Sequence, residues 1–178
     1  MNSMPPLKKL ISPDEIQRRV KEIASLLDQE YQGEELVLVA VMKGAVCIAA
    51  DLLRSLTVPV TFEWIQASSY GQKGATRGDL RIIGEENLDV TSKHVLLVDD
   101  IFDSGFTLTH ILSKLAKKNP RSLKSLVLLS KRVKREHAYE PDYVLFSVDD
   151  HFVVGCGLDF KEHYRGLPGI YRFESEPL

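Results

Sequence analysis

The stretch VLLVDDIFDSGFTL, Val95 to Leu108, constrains the fold more than any other part of the chain. Val95, Leu96, Leu97 and Val98 form a continuous apolar run, which suits a parallel strand covered on both faces. Asp99 and Asp100 are expected to end that strand. Asp103, Ser104, Gly105, Phe106 and Thr107 then bring small residues, hydroxyls and a row of backbone NH groups to a helix start. The helix has its apolar positions at Leu108, Ile111, Leu112 and Leu115. NH groups so placed, backed by the helix dipole, bind a phosphate. The acidic pair repels phosphate but suits ribose hydroxyls, or a magnesium ion beside the phosphate. The plainer reading makes Asp103 or Ser104 a helix cap and leaves Asp99 and Asp100 in solvent. The P-loop pattern is missing and no GxGxxG follows a strand, which argues against a nucleoside triphosphatase or a dinucleotide enzyme.

The rest of the chain supplies the setting for such a site. At 178 residues and 44% hydrophobic, it is expected to form one domain over residues 1–178. A domain of this size buries roughly 70% of its unfolded surface, enough for a self-sufficient core. A net charge of -2 from 23 basic and 25 acidic residues gives no overall attraction to nucleic acid or membrane, so small-molecule partners are expected. Two cysteines make no disulfide framework, Met1 to Leu10 lacks the apolar centre of a signal peptide, and no run approaches the ~20 apolar residues of a membrane span. A cytoplasmic location is expected.

Strand and helix signals alternate. Ser12, Pro13 and Glu15 form a capping box with Pro at the first helical position, followed by Ile16, Val20, Ile23, Ala24 and Leu27 at helical spacing. Leu36–Met42 reads as a strand, Ala45–Leu56 as a helix and Val58–Ile65 as a strand. Ser68–Gly78 has almost nothing to bury and is expected to be a mobile loop. Leu80–Gly84 and His94–Val98 are further strands, Thr107–Lys118 a helix, and Leu123–Leu129 and Tyr143–Val148 the last strands. This order implies an α/β fold, a mainly parallel twisted sheet flanked by helices, with ligands at the carboxyl ends of its strands.

Three more segments carry chemistry, and each also has a bland reading. Met42-Lys43-Gly44 closes a strand and opens a helix, which by itself is a turn. Ser68-Ser69-Tyr70-Gly71 opens the polar loop, which by itself is solvated chain with an anchoring Tyr. Lys131 precedes the segment FVVGCGLDFKEHYR, Phe152 to Arg165, where Phe152, Val153 and Val154 would ordinarily be core and Lys131 to Arg135 a solvated basic face. In this order, and together with Val95–Leu108, the four segments resemble the purine and pyrimidine phosphoribosyltransferase family. The core Asp103-Ser104-Gly105-Phe106-Thr107 is close to the form found in hypoxanthine-guanine members.

The resemblance implies the type I phosphoribosyltransferase fold with a small base-binding hood, and transfer of phosphoribosyl from phosphoribosyl pyrophosphate to a 6-oxopurine in purine salvage. It implies that Asp99, Asp100, Asp103, Ser104, Gly105, Phe106 and Thr107 bind the phosphoribosyl group. Asp103 would be the general base that takes a proton from the purine imidazole ring. Lys43, Gly44 and Arg165 would hold pyrophosphate, with a cis peptide bond before Lys43. Ser69 and Tyr70 would head a lid. Lys131, Phe152, Val153 and Asp159 would bind the base: Lys131 at the purine 6-oxygen, Phe152 stacked on the ring, the Val153 backbone at its edge. Asp99 and Asp100 would attend magnesium, and Asp159 a second magnesium through water. A homodimer or homotetramer is expected. Asp99 stands where the family commonly has Glu, Cys156 where Tyr is frequent, and His151 where other polar residues occur, so purine preference stays open. Two other readings are a phosphoribosyl-pyrophosphate-sensing regulator of the same fold and a receiver domain built around VLLVDD.

Overall fold

The computed structural model describes residues 6–69, 80–133 and 139–174. A six-stranded sheet has the order β4-β3-β2-β5-β6-β7. Its strands are β2 (Leu36–Met42), β3 (Val60–Ser69), β4 (Leu80–Ile83), β5 (His94–Phe102), β6 (Ser122–Lys131) and β7 (Tyr143–Val148). All neighbours are parallel except β3 and β4, which form an antiparallel edge. The helices are α1 (Pro13–Glu30), α2 (Val46–Ser55) and α3 (Phe106–Ala116).

The sheet is buried on both faces, and this is why its central strands read as unbroken apolar runs. Along β2, Leu36, Leu38 and Ala40 join the core under α1 and α2, while Val37, Val39 and Val41 join the core under α3. Each Leu or Val taken fully out of water contributes about 1.5–3 kcal/mol, which fixes the register because a one-residue slip would exchange the two faces. The capping box of α1 forms as its sequence implies: Ser12 Oγ accepts from the Glu15 NH and Glu15 accepts from the Ser12 NH at 2.8 Å.

Strand β5 runs past the acidic pair to Phe102, so Asp99 and Asp100 lie within the strand rather than at its end. The parallel pairing with β6 continues through Phe102 opposite Ser130, and this ladder overrides the break that two adjacent acids suggest. By alternation, Asp99 continues the α3 side of Leu97, and Asp100 continues the α1/α2 side of Val98. VLLVDD is therefore a central strand beside β2, not the first strand of a receiver domain.

A second, antiparallel sheet with order β1-β9-β8 forms the hood from β1 (Leu7–Ile11), β9 (Ile170–Phe173) and β8 (Val153–Val154). Three glycines let backbone pack on backbone here, two within the hood and one, Gly157, against the body. A Cβ on Gly155 would lie 2.1 Å from Gly169 O, one on Gly169 would lie 2.6 Å from Ile11 O, and one on Gly157 would lie 2.0 Å from Gly44 O. Gly155 and Gly157 both have φ of +100, where a side chain would also strain the backbone. The hood thus rests directly on the turn after β2.

Candidate active site

The chain crosses between the halves of the main sheet at β2 and β5, and the carboxyl ends of these strands are where such a fold leaves a crevice. The turn Met42-Lys43-Gly44 lies there, with a cis Met42–Lys43 peptide bond and a backbone hydrogen bond of 3.2 Å from the Val46 NH to Lys43 O. Across from it stands Asp100. A Cβ on Gly44 would lie 1.9 Å from Asp100 Oδ2, so only glycine lets the turn approach the carboxylate this closely.

Asp99 and Asp100 share a partly dry environment. Burial, then the charge of Asp100, pushes Asp99 well above the usual carboxylate range. Burial raises Asp100 as well, opposed by hydrogen bonds from Asp99 and the Ile101 NH and by the charge of Arg165. The pair therefore keeps a proton to higher pH than an isolated carboxyl group, until a cation or a set of hydroxyl donors relieves it.

After β5 the chain turns through Asp103, Ser104 and Gly105 into α3. Gly105 is the N-cap, at φ +83, where a Cβ would lie 3.0 Å from the Phe102 ring. Among the described residues, the side-chain contact to the leading NH groups is a long one, from the Phe106 NH to Ser104 Oγ at 3.4 Å. The N-cap position is therefore Gly105 rather than Asp103 or Ser104, and Ser104 reaches only the first helical NH. The leading NH groups of a helix have no acceptor within it, and here they open beside two hydroxyl residues, Ser104 and Thr107.

On the other side of the crevice, Lys131 at the end of β6 lies 3.7 Å from Asp103 Oδ2 and 2.9 Å from Asp150 Oδ1. Phe152 is 50% exposed although its ring is buttressed by Phe160 and Phe173, with centroids 5.6 and 6.0 Å away. A flat apolar ring held rigid from behind with an open face is a stacking platform. Next to it, Val153 lies in β8, the edge strand of the hood, whose outer side has no strand partner among the described residues.

Arg165 donates to Gly157 O at 2.8 Å and pairs with Asp159 Oδ1 at 2.7 Å. Its Nε is buried with no hydrogen-bond partner. Lys43 Nζ lies 2.9 Å from Glu162 Oε2. The structure thus brings Lys43, Gly44, Asp100, Asp159 and Arg165 together at one end and Asp103 and Lys131 at the other, with Phe152 and Val153 on the hood. Asp159 faces Arg165 rather than Asp99 and Asp100, and no three His, Cys, Asp or Glu side chains converge on one point among the described residues. Ser69 ends β3, and Tyr70 lies outside the described residues.

A profile of the phosphoribosyl transferase domain matches residues 12–161. The chain belongs to the phosphoribosyltransferase family. It is 41% identical over 170 residues to a hypoxanthine-guanine phosphoribosyltransferase of Aquifex aeolicus, covering 95% of this chain and 96% of the relative. A crystal structure of a hypoxanthine-guanine phosphoribosyltransferase of Bacillus anthracis superposes with a TM-score of 0.88 at 38% identity, covering 95% of this chain and 99% of that one. A hypoxanthine phosphoribosyl transferase of Trypanosoma cruzi, solved in work on its C-terminal region and oligomeric state, also gives 0.88 at 34% identity, covering 97% of this chain and 94% of that one. The protein is a phosphoribosyltransferase with the type I fold, in agreement with the resemblance carried by the four sequence segments. No helix among the described residues is long and apolar enough to cross a membrane.

Two features of the site escape a reading of the sequence. Glu162 has no motif of its own and is placed only by the turn between Asp159 and Arg165. Phe160, Tyr164 and Phe173 form the wall behind Phe152, and only the hood topology brings Phe173 to it.

Proposed function

We propose that the protein transfers the 5-phosphoribosyl group of phosphoribosyl pyrophosphate to hypoxanthine or guanine, releasing pyrophosphate and giving IMP or GMP. The supporting observation is the pair Asp103 and Lys131, an acceptor and a donor 3.7 Å apart at the mouth of the crevice. A 6-oxopurine carries an oxygen at C6 and an imidazole NH on the same edge, so Lys131 would donate to the oxygen while Asp103 accepts the proton. The electron pair so released makes the other imidazole nitrogen the nucleophile. It attacks the anomeric carbon as the bond to pyrophosphate breaks. Asp103, carrying negative charge, also favours the cationic sugar of the transition state.

The remaining residues hold the substrates. The start of α3 with Ser104, Gly105, Phe106 and Thr107 takes the 5'-phosphate, Asp99 and Asp100 take the ribose hydroxyls, and Lys43, Gly44 and Arg165 take pyrophosphate. Phe152 stacks on the base and the Val153 backbone meets its edge, while Ser69 and Tyr70 begin the lid. Magnesium suits this donor set, because it binds through one or two carboxylates plus substrate phosphates and water rather than through a closed protein cage. Asp99 and Asp100 would hold one ion and Asp159, through water, a second, and the chemistry they would supply there is neutralisation of the leaving pyrophosphate.

The test is to mix the protein with phosphoribosyl pyrophosphate, magnesium and each of hypoxanthine, guanine, xanthine, adenine and uracil, and to identify the nucleotides by chromatography. IMP or GMP is expected with magnesium and neither with excess chelator. Full activity in chelator overturns the metal assignment, and no nucleotide from any 6-oxopurine overturns the reaction.

A second copy of the chain is proposed to cover the outer face of β3 and β4, giving a homodimer or homotetramer. Phe62, Trp64 and Ile83 share that face and are 41%, 51% and 39% exposed. Three large apolar side chains beyond the reach of α1 and α2 form a patch that a two-fold partner buries against itself. Light scattering is expected to give at least twice the chain mass, and Trp64→Glu to reduce it. A wild-type monomer at micromolar concentration overturns the assembly.

A further inference from the structure

The two cations assigned to pyrophosphate converge on a single carboxylate oxygen. Glu162 Oε2 lies 2.9 Å from Lys43 Nζ and 3.4 Å from Arg165 Nη2. Lys43 comes from the turn after β2 and Arg165 from the segment after β8, so Glu162 bridges parts of the site that are 119 residues apart in sequence at its Lys43 contact. The backbone is shaped to place it there. Lys161 and Glu162 have φ of 51 and 66, a region that side chains other than glycine rarely adopt, and the Glu162 NH donates to Asp159 Oδ2 at 2.9 Å. Residues held this way cluster where a surrounding structure over-determines them for function. None of the substrate contacts proposed above uses Glu162.

We propose that Glu162 is a built-in counter-ion for the pyrophosphate pocket, occupying the position of a pyrophosphate oxygen between Lys43 and Arg165 until substrate displaces it. The inference rests on the assignment of Lys43 and Arg165 to pyrophosphate. In the free protein the two cations come from separate loops; Arg165 also pairs with Asp159 at 2.7 Å, and Glu162 is the carboxylate that links it to Lys43. Glu162 holds them at the spacing an incoming anion needs. Pyrophosphate carries several negative charges against one on Glu162, so exchange runs toward binding. Each bound phosphoryl anion must nonetheless displace the carboxylate, which weakens substrate and released pyrophosphate alike. The same displacement in reverse helps pyrophosphate leave, since Glu162 returns as it goes. The side chains of Lys43 and Glu162 are 57% and 65% exposed, which makes this a modest adjustment rather than a lock.

The experiment is calorimetric titration of inorganic pyrophosphate with magnesium into the full-length protein and its variants. Glu162→Gln and Glu162→Ala are each expected to bind about two- to tenfold tighter than wild type, the range for losing a competing exposed ion pair. The KM for phosphoribosyl pyrophosphate is expected to fall in step while the KM for hypoxanthine stays unchanged. In a Lys43→Met background the gain from Glu162→Gln is expected to shrink, because the two residues act on each other. Unchanged or weaker pyrophosphate binding in both Glu162 variants overturns the proposal, as does an undiminished gain in the Lys43→Met background. Pyrophosphate binding needs no turnover, so a protein that makes no nucleotide refutes the proposed reaction while this measurement still decides the role of Glu162.

Discussion

Asp103→Asn is expected to lower kcat for hypoxanthine by about 10²- to 10⁴-fold, the usual contribution of a positioned general base. The substitution keeps the shape of the side chain and its hydrogen-bonding reach but removes its ability to take a proton. Asp103 stands at the junction of β5 and α3, 3.7 Å from Lys131 Nζ, so in the proposed reaction its carboxylate and the proposed donor to the purine oxygen would address one edge of the base. In the proposed reaction Asp103 also faces the sugar cation, so the loss is expected in the transition state. Binding of phosphoribosyl pyrophosphate, carried by the start of α3 and the pyrophosphate pocket, is expected to change little. Single-turnover kinetics with equilibrium binding of phosphoribosyl pyrophosphate separates the two. A chemical step within about threefold of wild type removes Asp103 from the role of base.

The main sheet and its three helices are legible in the sequence because each element carries a pattern with one physical meaning. Leu36–Met42 is apolar at every position, and only a strand buried on both faces uses such a run. Ser12, Pro13 and Glu15 mark a helix start through three separate constraints. The hood is not legible in this way. β8 is two residues long, and β1 carries Lys8 and Lys9 beside its apolar positions, so neither shows a period. These strands exist because Gly155, Gly157 and Gly169 allow backbone to pack on backbone, a long-range fact with no local signal.

The site divides along the same line. Lys131 ends β6, Asp103 follows the last residue of β5, and Asp99 and Asp100 lie near the end of that strand, so their convergence at one edge follows from the topology of a parallel sheet. The extension of β5 through the acids does not follow from local preference, because Asp is poor in strands and only pairing with β6 keeps it there. Glu162 is still less visible. Its neighbours in space, Lys43 and Arg165, come from distant segments, and a charged residue in a polar stretch ordinarily belongs to solvent.

Selection of the base is expected to rest on Lys131, with adenine used at least about a thousandfold less efficiently than hypoxanthine. An ammonium group only donates, so it matches the 6-oxygen of hypoxanthine or guanine and opposes the 6-amino group of adenine. A donor left facing a donor costs about 1–3 kcal/mol for the lost bond alone, and a site organised around such a bond can discriminate by about 10⁴-fold. The position of Lys131 supports the larger effect. Its side chain is only 14% exposed, whereas its partners Asp150 and Asp103 are 65% and 56% exposed. It is the burial of the ammonium, more than those ion pairs, that makes an opposed donor costly. Lys131→Ala is expected to depress kcat/KM for hypoxanthine and guanine while barely changing that for adenine, which narrows the gap from one side. Competing-substrate assays on the two proteins measure this directly. Comparable use of adenine by the wild type, or unchanged selectivity in Lys131→Ala, assigns the reading of the 6-position to another group.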